Sequence, residues 1–65
     1  MKILVNSEER DIAGPTLATA LDELGYTCAV IATALNGRFV PARRRAEVIL
    51  RDGDQLELLA PMQGG

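Results

Sequence analysis

The stretch TLATALDELG, Thr16 to Gly25, decides how this chain folds. Within it Leu17, Ala18, Ala20, Leu21 and Leu24 recur at i, i+3, i+4 and i+7 spacing, which predicts a helix with one apolar stripe. Thr16 stands at the N-cap, where its hydroxyl accepts from an orphan amide of the first turn. Gly25 supplies the left-handed residue that closes the helix. A single helix of this length cannot bury its stripe alone, so the rest of the chain must provide a surface for it.

That surface is extended chain. Upstream, Lys2 to Val5 (KILV) reads as a buried strand ended by the polar run Asn6-Ser7-Glu8-Glu9, and Arg10-Asp11-Ile12 returns as a short second strand before Gly14-Pro15 breaks it. Downstream, Ala29 to Leu35 (AVIATAL) is rich in β-branched residues and reads as a strand. Asn36-Gly37 follows as a two-residue hairpin turn, whose central residues both need positive φ. Arg38 to Val40 returns as a short strand that Pro41 stops. Residues 42–51 carry no clear period, with Val48-Ile49-Leu50 as a small extended or helical-turn element. Asp52-Gly53 turns, and Asp54 to Ala60 alternates as the last strand. One helix packed across one mixed sheet gives a two-layer α+β domain, the strand order being left open.

Composition narrows function more by what is missing. The chain has 65 residues, a net charge of −2, no histidine and one cysteine, Cys28. One domain is the most such a chain builds, and its core is small. No excess of clustered Lys and Arg points to nucleic acid. No apolar run approaches the roughly 20 residues that span a bilayer, and the N-terminus lacks a signal-peptide pattern. A soluble cytoplasmic protein is the expectation. Without histidine, without a second cysteine and with Ser7 as the sole serine, a self-sufficient catalytic or metal site is not expected. Any chemistry belongs to a partner's machinery.

The other end of the chain carries the functional signal. Gly14, Gly25, Gly37 and Gly53 sit where a turn or cap needs them, whereas Gly64 and Gly65 have no such task. Pro61 favours an extended exit, Met62 and Gln63 continue it, and the two glycines leave no side chain to block a narrow channel. The expectation is a domain over residues 1–60 followed by a tail, residues 61–65, that is mobile when unbound and presents the Gly65 carboxylate. An ionised carboxylate is a poor electrophile, so it needs activation, most simply as a mixed anhydride with AMP.

Three motifs, NGRFVP (Asn36 to Pro41), DGDQLELL (Asp52 to Leu59) and the terminal PMQGG, make the whole chain similar to the ThiS family of ubiquitin-like β-grasp sulfur carriers of thiamin biosynthesis. The resemblance implies a β-grasp fold, with one main helix across a mixed four- to five-stranded sheet. It also implies a cycle at Gly65. A ThiF-like adenylating enzyme of the ubiquitin-activating type uses ATP and Mg²⁺ to form the acyl-adenylate. A persulfide donor such as a cysteine desulfurase supplies sulfur, and the resulting thiocarboxylate serves a ThiG-like thiazole synthase. The chain itself holds no cofactor and no metal and is a carrier, not an enzyme. Two related roles share the same chemistry: the small subunit of molybdopterin synthase, and a carrier for another pathway. A non-catalytic β-grasp interaction module is the alternative of another class.

Pairing across Asn36-Gly37 sets Leu35 against Arg38, Ala34 against Phe39 and Thr33 against Val40. With Val40, Leu56 and Leu58 in the core, Phe39 and Leu59 fall on the opposite face and, with Met62, form a candidate docking patch. Scattered apolar residues on a surface are the plainer alternative. Arg43-Arg44-Arg45 reads as a solvated run, or else as a surface that steers toward an acidic partner or phosphate. Cys28 reads as a buried, inert thiol. Lys2 is the sole lysine, which disfavours a modifier that builds chains on its own lysines.

Overall fold

The computed structural model describes residues 1–26 and 31–59. Within these, β1 (Lys2–Val5) and β2 (Glu8–Asp11) form a hairpin, α1 (Leu17–Leu24) follows, and β3 (Ala32–Leu35) and β4 (Arg38–Val40) form a second hairpin. A 3-10 helix (Ala42–Glu47) then leads to β5 (Gln55–Leu59). The sheet order is β2-β1-β5-β3-β4, with β1 and β5 parallel and every other neighbouring pair antiparallel. The last strand in sequence is thus the middle strand in space. The architecture is the expected α+β one, a single main helix across a mixed five-stranded sheet.

The helix forms for the reasons its sequence declares. Thr16 is extended at φ −98°, ψ 162°, and its Oγ1 accepts from the Thr19 amide at 3.1 Å, while the Thr19 hydroxyl accepts from the Thr16 amide at 3.1 Å. This is a reciprocal capping box in which threonine replaces the usual Glu or Gln. At the other end Gly25 takes φ 87°, and the Tyr26 amide donates to the Leu21 carbonyl at 2.9 Å, closing the last turn. Leu17, Ala20 and Leu21 are buried, and Leu24 packs half-buried beside them. Their counterparts are Ile3 and Val5 of β1, Val40 of β4 and Leu56 and Leu58 of β5, with Ile12, Ile31 and Leu50 filling the rim. Both carboxylate oxygens of Glu23 accept backbone amides, from Ala13 at 2.8 Å and Gly14 at 2.9 Å, so the helix also ties down the loop that leads into it.

Several boundaries differ from those read in the sequence. The second strand begins at Glu8, not Arg10, because Asn6 and Ser7 form a two-residue turn at φ 52° and 71° that leaves Val5 already opposite Glu8. The charged residues read as a break are an edge strand, exposed along its whole length. A charged edge of this kind resists pairing with other chains. Ile12 lies beyond the strand and is buried, its amide donating to the Met1 carbonyl at 2.8 Å. Asp54, expected in the last strand, belongs to the turn before it, donating to Arg51 O at 3.0 Å and accepting from Arg51 N at 2.8 Å. Residues 42–51 hold the 3-10 helix and an isolated antiparallel bridge between Ile49 and Thr16. The third strand begins at Ala32, with Ile31 buried just before it outside the ladder, so its expected start at Ala29 is not the observed one. The end of the last strand at Ala60 and the limit between domain and tail lie outside the described residues.

Candidate functional site

The face of the sheet turned away from the helix is uneven, and its sequence explains why. Alternation along β5 buries Leu56 and Leu58 and leaves Gln55, Glu57 and Leu59 outside. On β3 the outward residues are Ala32 and Ala34, and on β4 the outward residue is Phe39. Register places Ala34 between Glu57 and Phe39, and Ala32 beside Leu59. Two small side chains therefore lie between two large ones. Ala32 and Ala34 floor a shallow depression of about 230 Å³, with Phe39 on one side and Leu59 and Glu57 on the other. Phe39 is 69% exposed and Leu59 71% exposed, so each presents most of its apolar area to solvent. The register expected for the second hairpin is the observed one, rung for rung.

Leu59 is also where β5 ends. The end of the middle strand thus lies at the edge of this depression. Met62, Gln63, Gly64 and Gly65, the remaining residues singled out in the sequence, lie outside the described residues, as does Cys28.

The arginine run divides. Arg43 is exposed, and Arg44 is exposed and paired with Glu47 at 3.3 Å. Arg45 turns inward, contrary to the reading of the triplet as a uniformly solvated run. Its Nε donates to Thr33 Oγ1 at 3.1 Å and its Nη2 to the Ile31 carbonyl at 2.6 Å. Thr33 is 1% exposed and donates its own hydroxyl proton to the Val40 carbonyl at 2.7 Å. Arg45 is therefore a structural tie between the 3-10 helix and the start of β3. A planar fork with several donors suits two acceptors at once.

Two asparagines escaped the sequence reading except as turn or break residues. Asn36, at φ 51°, accepts from the Gln55 amide through Oδ1 at 2.9 Å, and its Nδ2 donates to Asp54 Oδ1 at 3.0 Å. Asn6 holds the other end of β5, its Oδ1 accepting from the Leu58 amide at 2.8 Å and its Nδ2 donating to the Leu58 carbonyl at 3.2 Å. The signal in the sequence was the pair Asn6-Ser7 between two extended runs, a two-residue turn in which Asn tolerates positive φ. Among the described residues no three of His, Cys, Asp or Glu gather as a metal-ion group. No helix among them is long and apolar enough to cross a membrane.

The mixed sheet, the single helix laid across it and the middle strand that emerges beside an exposed apolar depression define a β-grasp protein with a candidate protein-docking face. The model of the ThiS family matches residues 3–65, and the chain belongs to that family. The sulfur carrier protein ThiS of Thermus thermophilus is 36% identical over 63 residues, covering 97% of this chain and 98% of that one. A thiazole synthase of Paramagnetospirillum magneticum is 39% identical over 66 residues, covering all of this chain, which spans only 20% of that protein's length. Among solved structures, the crystal structure of the thiamine biosynthesis protein ThiS from Geobacter metallireducens superposes with a TM-score of 0.83 over the whole of both chains at 26% identity.

Proposed function

We propose that this protein is a sulfur carrier of thiamin biosynthesis, and that the atom it carries is bound at the carboxyl group of Gly65. The observation that carries this reading is the extent of the family match, which runs through Gly64 and Gly65. In the proposed cycle a Gly65 carboxylate oxygen attacks the α-phosphorus of ATP on an adenylating partner, with Mg²⁺, and pyrophosphate leaves. The terminal sulfur of a persulfide then displaces AMP. Cleavage of the remaining sulfur–sulfur bond by a thiol leaves the thiocarboxylate, which is a good sulfur nucleophile and needs no acid, base or metal from this chain. The protein is thus a cosubstrate of partner enzymes in the cytoplasm, with residues 61–65 as the segment that enters their active sites.

The alanine-floored depression, with Phe39 and Leu59 as its walls and Met62 following, is the proposed docking face for the adenylating partner. Its support is positional, since the chain passes directly from this face into the tail. Thiazole synthase is the proposed acceptor. That a protein named thiazole synthase contains, within its own length, a segment 39% identical to this whole chain supports that choice over molybdopterin synthesis. The test is transfer: the chain, loaded by an adenylating enzyme and a persulfide donor, supports thiazole formation by thiazole synthase. Sulfur passing only to a molybdopterin precursor would move the chain to that branch of the chemistry.

A further inference from the structure

The parallel ladder between β1 and β5 ends one rung early in its main chain. Leu4 N–H donates to Asp54 C=O and Asn6 N–H to Leu56 C=O, each at 2.9 Å and advancing two residues per rung. The next rung would join Leu58 to main-chain groups of residues 6 and 8. Residue 8 has already turned away, because Glu8 is opposite Val5 in β2. The Asn6 carboxamide takes that place, with Oδ1 standing in for the missing carbonyl at 2.8 Å and Nδ2 for the missing amide at 3.2 Å. It reaches there because the backbone of Asn6 is left-handed, at φ 52°. On its other side Leu58 is opposite Thr33 of β3. Leu58 is therefore gripped from both neighbours one residue before β5 ends.

We infer that Asn6 is a positioning residue for the carrier function: its carboxamide extends the sheet by one rung and so anchors β5 at Leu58, one residue before the strand ends. The inference rests on the carrier reading above. A tail that starts from an anchored strand end has less freedom to lose when it enters a partner's active site, so more of the docked complexes are productive. Asn6 does not line the depression, and its effect belongs in turnover and not in docking.

Asn6→Gly isolates the carboxamide, since glycine keeps the positive φ at no steric cost. Amide hydrogen exchange and steady-state adenylation of the full chain are measured for wild type, Asn6→Gly, Asn6→Asp and the core control Ile12→Val, whose methylene loss is remote from β5's exit. In Asn6→Gly the Leu58 amide is expected to exchange about tenfold faster, the loss of one net hydrogen bond. The kcat of adenylation is expected to fall about threefold or more while KM stays within about twofold. Asn6→Asp keeps an acceptor for the Leu58 amide but loses the donor to its carbonyl, and should fall between the two. Asn6→Gly turning over like wild type, or losing no more than Ile12→Val, would overturn the positioning role. A wild-type chain that no adenylating partner activates would overturn the carrier reading and the role together, and it differs from the first failure because wild type itself is then inactive.

Discussion

Arg45 is the residue on which the second half of the chain closes. Its guanidinium is held by Thr33 Oγ1 and the Ile31 carbonyl, and Thr33 is the one buried polar side chain among the described residues. Truncation would leave both acceptors without their charged donor in a half-buried site. Arg45→Ala is expected to destabilise the fold by about 1–3 kcal/mol. Arg43→Ala should stay within about 0.5 kcal/mol, because an exposed side chain with no ion pair among the described residues loses little. Denaturant unfolding of the two variants separates them, and equal midpoints would return the triplet to a plain solvated run. The sequence offered no way to tell the three arginines apart. Adjacent residues on a 3-10 helix point about 120° from one another, and which of them faces inward depends on where β3 begins. Asn36 was legible as a turn former because Asn tolerates positive φ, and Asn6 only as part of a polar break, and the partners of their carboxamides lie 19 and 52 residues away in β5. Such long-range pairs carry no local pattern.

At the scale of elements, the strongest local patterns were the ones that could be read. The stripe from Leu17 to Leu24 and the caps at Thr16 and Gly25 are local features, and the helix begins and ends on them. Asn36-Gly37 set the register of the second hairpin for the same reason. The first hairpin's second strand starts two residues before the expected Arg10 because Glu8 to Asp11 has no apolar alternation, being exposed on both faces of an edge strand. The stretch from residue 42 to 51 had no period to find: a 3-10 helix without a buried residue and one isolated bridge are set by their neighbours. The cap gives a direct prediction. Thr16→Ala removes the hydroxyl that accepts from the Thr19 amide and is expected to cost about 1 kcal/mol. Thermal unfolding measures it, and an unchanged midpoint would mean that the bridge to Ile49 alone holds the helix start.

For the whole molecule, the order of the strands puts the end of β5, at Leu59, beside the exposed apolar depression. Parallel pairing of β1 with β5 sends the last strand through the middle of the sheet, between β1 and β3 and not along an edge. That order was not derivable from strand propensities and stayed open in the sequence; the likeness of three motifs to a known family implied only a β-grasp fold with a mixed sheet. The outward face was more legible, since alternation and hairpin register together set Phe39, Ala34 and Leu59 on one side. Leu59→Asp changes an exposed side chain and should leave stability within about 0.5 kcal/mol. It should raise KM for the adenylating partner by about tenfold or more, as expected when a charge replaces a desolvated apolar contact. Unchanged adenylation kinetics would remove this face from the docking account.

The central claim is that Gly65 carries the sulfur, and intact-mass spectrometry addresses it most directly. The chain is incubated with a ThiF-like adenylating enzyme, ATP, Mg²⁺ and a persulfide donor, beside a folded chain lacking Gly65. The expected result is a gain corresponding to one sulfur in place of one oxygen, located in the C-terminal fragment and missing from the shortened chain. An unchanged mass with a competent partner, or the same gain in the chain without Gly65, would contradict it.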